Sequence, residues 1–120
     1  MLQTTLSIVR MLTGRGGRLP DFLGIGTQRG GTTTLYDRLR THPDLYLPEK
    51  KEIHYFSRNF DQPLGWYTAH FANARRTQRT GEVTPYYLFH PEAPQRIAAL
   101  RPQVRLIVLL RDPVERALSA

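Results

Sequence analysis

Phe22-Leu23-Gly24-Ile25-Gly26-Thr27-Gln28-Arg29-Gly30-Gly31-Thr32-Thr33-Thr34-Leu35 joins a short apolar run to a glycine-rich turn and then to a threonine-led stretch that suits a helix. A strand that feeds such a turn and then a helix is built to cradle a phosphate. Gly30 and Gly31 permit positive φ and close approach of the backbone to an anion. The first free N–H groups of the helix, its positive dipole end and the hydroxyls of Thr32 and Thr33 all converge on the same spot. Arg29 adds a cation inside the loop. Two better-known glycine loops fail at definite positions. The nucleoside-triphosphate loop G-x-x-x-x-G-K-[ST] fits Gly26 to Thr33 except at its lysine, where Thr32 stands. The dinucleotide fingerprint G-x-G-x-x-G fits Gly24 and Gly26 but meets Arg29 where its third glycine belongs.

Leu106-Ile107-Val108-Leu109-Leu110-Arg111-Asp112-Pro113-Val114-Glu115-Arg116-Ala117-Leu118-Ser119 is the second informative stretch. Its β-branched apolar start reads as a buried strand, Asp112 can cap the helix that follows, and Pro113 suits that helix's first position. Arg111 then projects from the carboxyl end of the strand, where open α/β sheets hold their ligands. Taken singly, Arg111 reads equally as a surface arginine and Ser119 as an ordinary helix residue.

Taken together, the two stretches resemble the sulfotransferases, most closely the heparan-sulfate-type and bacterial domains. Gly26 to Leu35 is similar to the family's 5′-phosphosulfate loop, roughly [KR]-x-G-T-[ST]-x-L, and Leu106 to Ser119 is similar to its 3′-phosphate motif. The resemblance implies 3′-phosphoadenosine 5′-phosphosulfate (PAPS) as co-substrate. Its sulfated end would be held by Gln28, Arg29, Gly30, Gly31, Thr32 and Thr33, and its 3′-phosphate by Arg111 and Ser119. It implies transfer of a sulfuryl group to a hydroxyl or amine, on a glycan or a small alcohol, with no metal. Arg29 departs from the commoner lysine of the family. Arginine stays charged at neutral pH and so cannot give up a proton, although it can grip phosphate oxygens in a bidentate way. Its catalytic role is therefore to stabilise charge on the leaving phosphate.

Lys51-Glu52-Ile53-His54-Tyr55-Phe56 is similar to the family's K-E-x-x-[FY]-F segment, which implies Glu52 as the general base. Such a base needs burial to bring its pKa toward the working pH. Read locally, Glu49 to Glu52 is also a plain charged surface turn. His54 is the reserve base, with a well-suited intrinsic pKa, and its apolar neighbours equally suit a structural histidine. Gly81-Glu82-Val83-Thr84-Pro85-Tyr86-Tyr87 resembles the family's G-E-x-[ST]-P-x-Y stretch, so Glu82 and Thr84 read either as acceptor contacts or as a strand-end turn.

The chain has 120 residues, a formal charge of +7 and no cysteine. The charge suits polyanionic company, while the absence of cysteine removes disulfide and thiol chemistry and fits a reducing, cytoplasmic setting. Arg75, Arg76 and Arg79 read as a solvated basic face or a polyanion dock, and no nucleic-acid module accompanies them. Leu6 to Val9 is too short for a signal core and no apolar run spans a bilayer, so a bacterial-type enzyme without a membrane span is expected.

Residues 1–20 read as a basic lead-in, loosely ordered through Arg18, and 21–120 as the amino-terminal part of a sulfotransferase domain. Strands are expected at Phe22 to Gly26, Leu45 to Leu47, Gly81 to Tyr86 and Arg105 to Leu110. Helices are expected at Thr32 to Arg40, Pro63 to Phe71 and Pro91 to Leu100, with Trp66 and Phe71 in the core. The alternation calls for an α/β, P-loop-like three-layer fold: a mostly parallel sheet flanked by helices, cut at the carboxyl end. Two other functions fit the residues, a P-loop kinase or hydrolase with a degenerate loop and a non-catalytic polyanion-binding remnant.

Overall fold

The structure, a computed structural model, describes residues 18–26 and 32–109. In chain order they form β1 (Phe22–Gly26), α1 (Thr32–Arg40), β2 (Leu45–Tyr46), α2 (Leu64–Thr68) running into a 3-10 turn (Ala69–Phe71), β3 (Arg79–Val83), a second 3-10 turn (Pro85–Leu88), α3 (Ala93–Leu100) and β4 (Arg105–Leu109). The sheet order is β2-β3-β1-β4, with every pairing parallel. The sequence thus folds as the α/β arrangement its alternation calls for.

β1 is buried along its whole length, which is why it is an unbroken apolar run rather than an alternating one. Its two faces serve different cores. Leu23 and Ile25 join Ile53, Tyr55, Phe56, Tyr67, Phe71 and the α3 residue Ile97. Phe22 packs on the other face with Tyr36 of α1, Leu47 and Val83. α1 and α3 therefore cover opposite faces of the sheet. β1 and β3 are neighbours whose following connections leave to opposite sides, which opens a crevice at their carboxyl ends. The pairing of β1 with β3 rests on one missing side chain. Phe22 lies opposite Gly81, and a Cβ on Gly81 would sit 2.2 Å from its ring.

Asp21 ties the opposite, amino ends of the strands together. Its backbone exchanges hydrogen bonds with Thr80 and Arg105, its carboxylate accepts from the Thr80 N–H at 2.9 Å, and Arg101 pairs with it at 3.3 Å. Four sequence expectations are corrected here. Arg18 is no loose lead-in residue, because its guanidinium donates to the carbonyls of Arg75 and Gln78 and anchors that loop. Trp66 is only half-buried, and Tyr67 takes the core position beside Phe71. The extended stretch stops at Thr84, because Pro85 starts a 3-10 turn. β4 is not buried on both faces: as the edge of the described sheet it leaves Leu106 51% and Val108 43% exposed. Among the described residues, no helix is long and apolar enough to cross a membrane.

Candidate active site at the carboxyl ends of β1 and β3

β1 ends on Gly26, whose φ of 152° favours glycine, and α1 begins six residues later at Thr32. Gln28, Arg29, Gly30 and Gly31, which join them, lie outside the described residues, as do Arg111 and Ser119. Thr32 opens α1, and Thr33 stands exposed in its first turn. The Thr33 hydroxyl accepts a hydrogen bond from the Lys51 ammonium, so the Lys51-Glu52 segment is held against the helix start. Tyr36, one turn further along α1, donates to the carbonyls of Pro48 and Glu49 and secures the approach to that segment.

Glu52 and His54 form a pair, with the His54 Nε2 3.4 Å from a Glu52 carboxylate oxygen. The Glu52 side chain is 41% exposed and that of His54 11%. The burial expected for a base at Glu52 is therefore not met, because the side chain sits on the crevice rim. His54 lies below it in the left-handed region at φ 58°, a strained setting for a β-carbon residue. Its turn is closed from behind, since its carbonyl accepts from the Ser57 and Asn59 N–H groups and Asn59 Nδ2 donates to the Ile53 carbonyl. Burial and the nearby Arg58 lower the His54 pKa, while Glu52 works in the opposite direction. A neutral ring can satisfy both neighbours in one tautomer, with Nε2–H toward Glu52 and Nδ1 accepting from the Ser57 hydroxyl at 3.1 Å.

Behind this turn, Glu82 is 0% exposed. Its carboxylate accepts hydrogen bonds from the hydroxyls of Tyr67, Thr84 at 2.6 Å and Tyr87 at 3.1 Å. Burial lifts its pKa to about 7, against the pull of those three hydroxyls. Burial and the Glu82 carboxylate together raise Tyr67 and Tyr87 well above the ordinary tyrosine value, so both stay protonated donors. Of the two sequence readings for Glu82 and Thr84, the strand-end turn fits: both side chains are fully buried and bonded to each other. Lys51, Ser57, Tyr67 and Tyr87 were not singled out from the sequence. For Lys51 and Tyr87 the signal was present, since each shares a short motif with its glutamate; Tyr67 meets Glu82 only through the fold. Among the described residues, no cluster of three or more histidine, aspartate or glutamate side chains could hold a metal. A pocket of about 470 Å³ lined by Arg40, Lys50 and His70 lies alongside and contains none of the candidate residues.

Known proteins carry the same segment. A human heparan sulfate glucosamine 3-O-sulfotransferase 3B1 is 41% identical over 113 residues, which is 93% of this chain and 29% of that protein. A solved sulfotransferase from Alicyclobacillus acidocaldarius matches with TM-score 0.74 and 32% identity, covering 85% of this chain and 48% of the other. The chain belongs to the sulfotransferase family. The membrane-associated sulfotransferase kil1 of Dictyostelium discoideum, 40% identical over 104 residues, covers 84% of the chain and 22% of its own length. The chain thus spans less than a third of these curated sulfotransferases and about half of the solved one. No family model matches it.

Proposed function

We propose that the protein transfers a sulfuryl group from PAPS to a hydroxyl or amine acceptor on a glycan of the heparan type named for its relatives. One observation carries the reading. Lys51 bonds to Thr33, so the segment bearing Glu52 lies against the start of the helix that follows the phosphate loop, at the crevice of a parallel sheet. Donor end and base are then neighbours.

In the reaction, an acceptor oxygen or nitrogen gives its proton to the Glu52 carboxylate as it bonds to sulfur. The bond from sulfur to the bridging phosphate oxygen breaks, and its electron pair leaves with 3′-phosphoadenosine 5′-phosphate. Arg29 and the N–H groups at the α1 start offset the charge that builds on the leaving phosphate. Lys51 reaches the same side and holds the Thr33 hydroxyl. His54 orients Glu52 through its Nε2. Arg111 and Ser119 are assigned to the 3′-phosphate, which separates PAPS from ATP.

A thermal melt with 3′-phosphoadenosine 5′-phosphate, and separately with ATP and Mg²⁺, tests the donor. A ligand at 100 times its Kd stabilises the folded form by about 2.7 kcal/mol. The midpoint should rise with the 3′-phosphorylated nucleotide and stay within error with ATP. A larger rise with ATP and Mg²⁺ would replace this reading with a kinase or hydrolase. In turnover, Arg29→Lys should retain most activity and Arg29→Ala should lose most of it.

A further inference from the structure

Glu82 is the one fully buried carboxylate among the described residues, and the transfer step does not use it. Its three partners do not have equal duties. The Thr84 hydroxyl, which donates to Glu82, also accepts the His54 N–H at 3.5 Å. The Tyr87 hydroxyl, which donates to Glu82, also accepts the Phe56 N–H at 3.4 Å. The Tyr67 hydroxyl donates to Glu82 and takes no described backbone N–H.

A hydroxyl has a single proton and an ionised carboxylate can only accept. Once the protons of Thr84 and Tyr87 are committed to Glu82, their lone pairs are the only capacity they have left. Those lone pairs meet the N–H groups on either side of Tyr55, in the segment that runs on from Glu52. Without the carboxylate, the Thr84 and Tyr87 hydroxyls, which also lie close enough to bond each other, lose the acceptor that takes both their protons.

We propose that Glu82 is a positioning residue for the candidate base: by drawing the protons of Thr84 and Tyr87 it turns both hydroxyls into acceptors, which hold the His54 and Phe56 N–H groups and so fix the left-handed turn that presents Glu52 toward α1. The claim rests on the reading of Glu52 as the base. A glutamine can still take both protons on its oxygen, since Thr84 and Tyr87 both reach Oε1 while an N–H group at the Oε2 position would face Tyr67, so the substitution that removes the effect is an apolar one such as Glu82→Met.

The test is amide hydrogen exchange of the whole protein at pH 8, followed residue by residue, in Glu82→Met, Thr84→Val, Tyr87→Phe and Tyr67→Phe. Loss of one buried hydrogen bond should speed local exchange roughly tenfold. Thr84→Val should release the His54 amide, Tyr87→Phe the Phe56 amide, Glu82→Met at least one of the two, and Tyr67→Phe neither. The strand amide of Thr84, bonded to the Gly24 carbonyl at 3.0 Å, serves as the internal reference and should not change. Unaltered exchange at both amides in Glu82→Met, or acceleration spread equally over the strand amides, would overturn the proposal. Alongside this, Glu82→Met should lower kcat roughly tenfold while leaving KM for the nucleotide unchanged. If no sulfuryl transfer is found at all, the exchange pattern still decides the positioning claim, so the two failures are distinguishable.

Discussion

Glu52 and Glu82 are two glutamates in two short motifs that meet at the same end of the sheet, yet they sit in opposite surroundings. Glu52 is on the crevice rim, 41% exposed, with a histidine and a lysine for neighbours. Glu82 is sealed behind the turn, with three hydroxyls and no cation. The difference separates two ways of using a carboxylate. One that must exchange a proton with a substrate has to be reachable, and one that orders a turn has to be kept from water. The raised pKa of Glu82 thus marks a support of the site, not its reacting group.

The contrast breaks first at the chemistry. Glu52→Gln should reduce kcat by about 10²–10⁴-fold, the usual worth of a general base, while the melting midpoint stays near wild type. If Glu82→Gln were the more damaging to kcat with the fold intact, the roles assigned to the two residues would have to be exchanged.

Stability against pH probes the buried member. The Glu82 pKa rises from 4.5 in the unfolded chain to about 7 in the folded one, so its contribution is fully present below pH 4.5 and is lost as pH climbs to about 7. That move is worth about 3 kcal/mol, and the groups facing it are the hydroxyls of Tyr67, Thr84 and Tyr87. His54 works with the opposite sign: its lowered pKa contributes stability above pH 6.5 that is lost on acidification. Denaturant melts from pH 5 to 8 should show wild type losing stability relative to Glu82→Gln as pH rises, and parallel curves would remove the buried charge from the account.

Two smaller changes sharpen the picture. Gly81→Ala should cost about 1–3 kcal/mol in a denaturant melt, since its methyl meets the Phe22 ring in the core that carries β3 and hence Glu82. Ser57→Ala should cost about 1 kcal/mol, the worth of the hydroxyl that faces His54 Nδ1, and should leave the Glu82 pH dependence in place.

Much of the architecture was legible from local chemistry. An apolar run closed by glycines and a threonine-led helix together place β1 and α1 at their observed bounds. Thr33 and Glu52 were legible as motif members, and their proximity through Lys51 became visible only in three dimensions. The burial of Glu82 was not legible. β3 is covered on both faces from Thr80 to Val83, so no polar-apolar alternation marks which glutamate points inward. The donor Tyr67 arrives from a helix fifteen residues upstream of Glu82, a pairing that no local pattern announces.

Transfer of labelled sulfuryl groups from PAPS to a heparan-type glycan, by wild type and Glu52→Gln in parallel, tests the central claim most directly. The account predicts label on the glycan with wild type, and at least about a hundredfold less with Glu52→Gln at equal nucleotide binding. Equal transfer by both proteins, or nucleotide binding with no transfer by wild type to glycan, amine or alcohol acceptors, would contradict it.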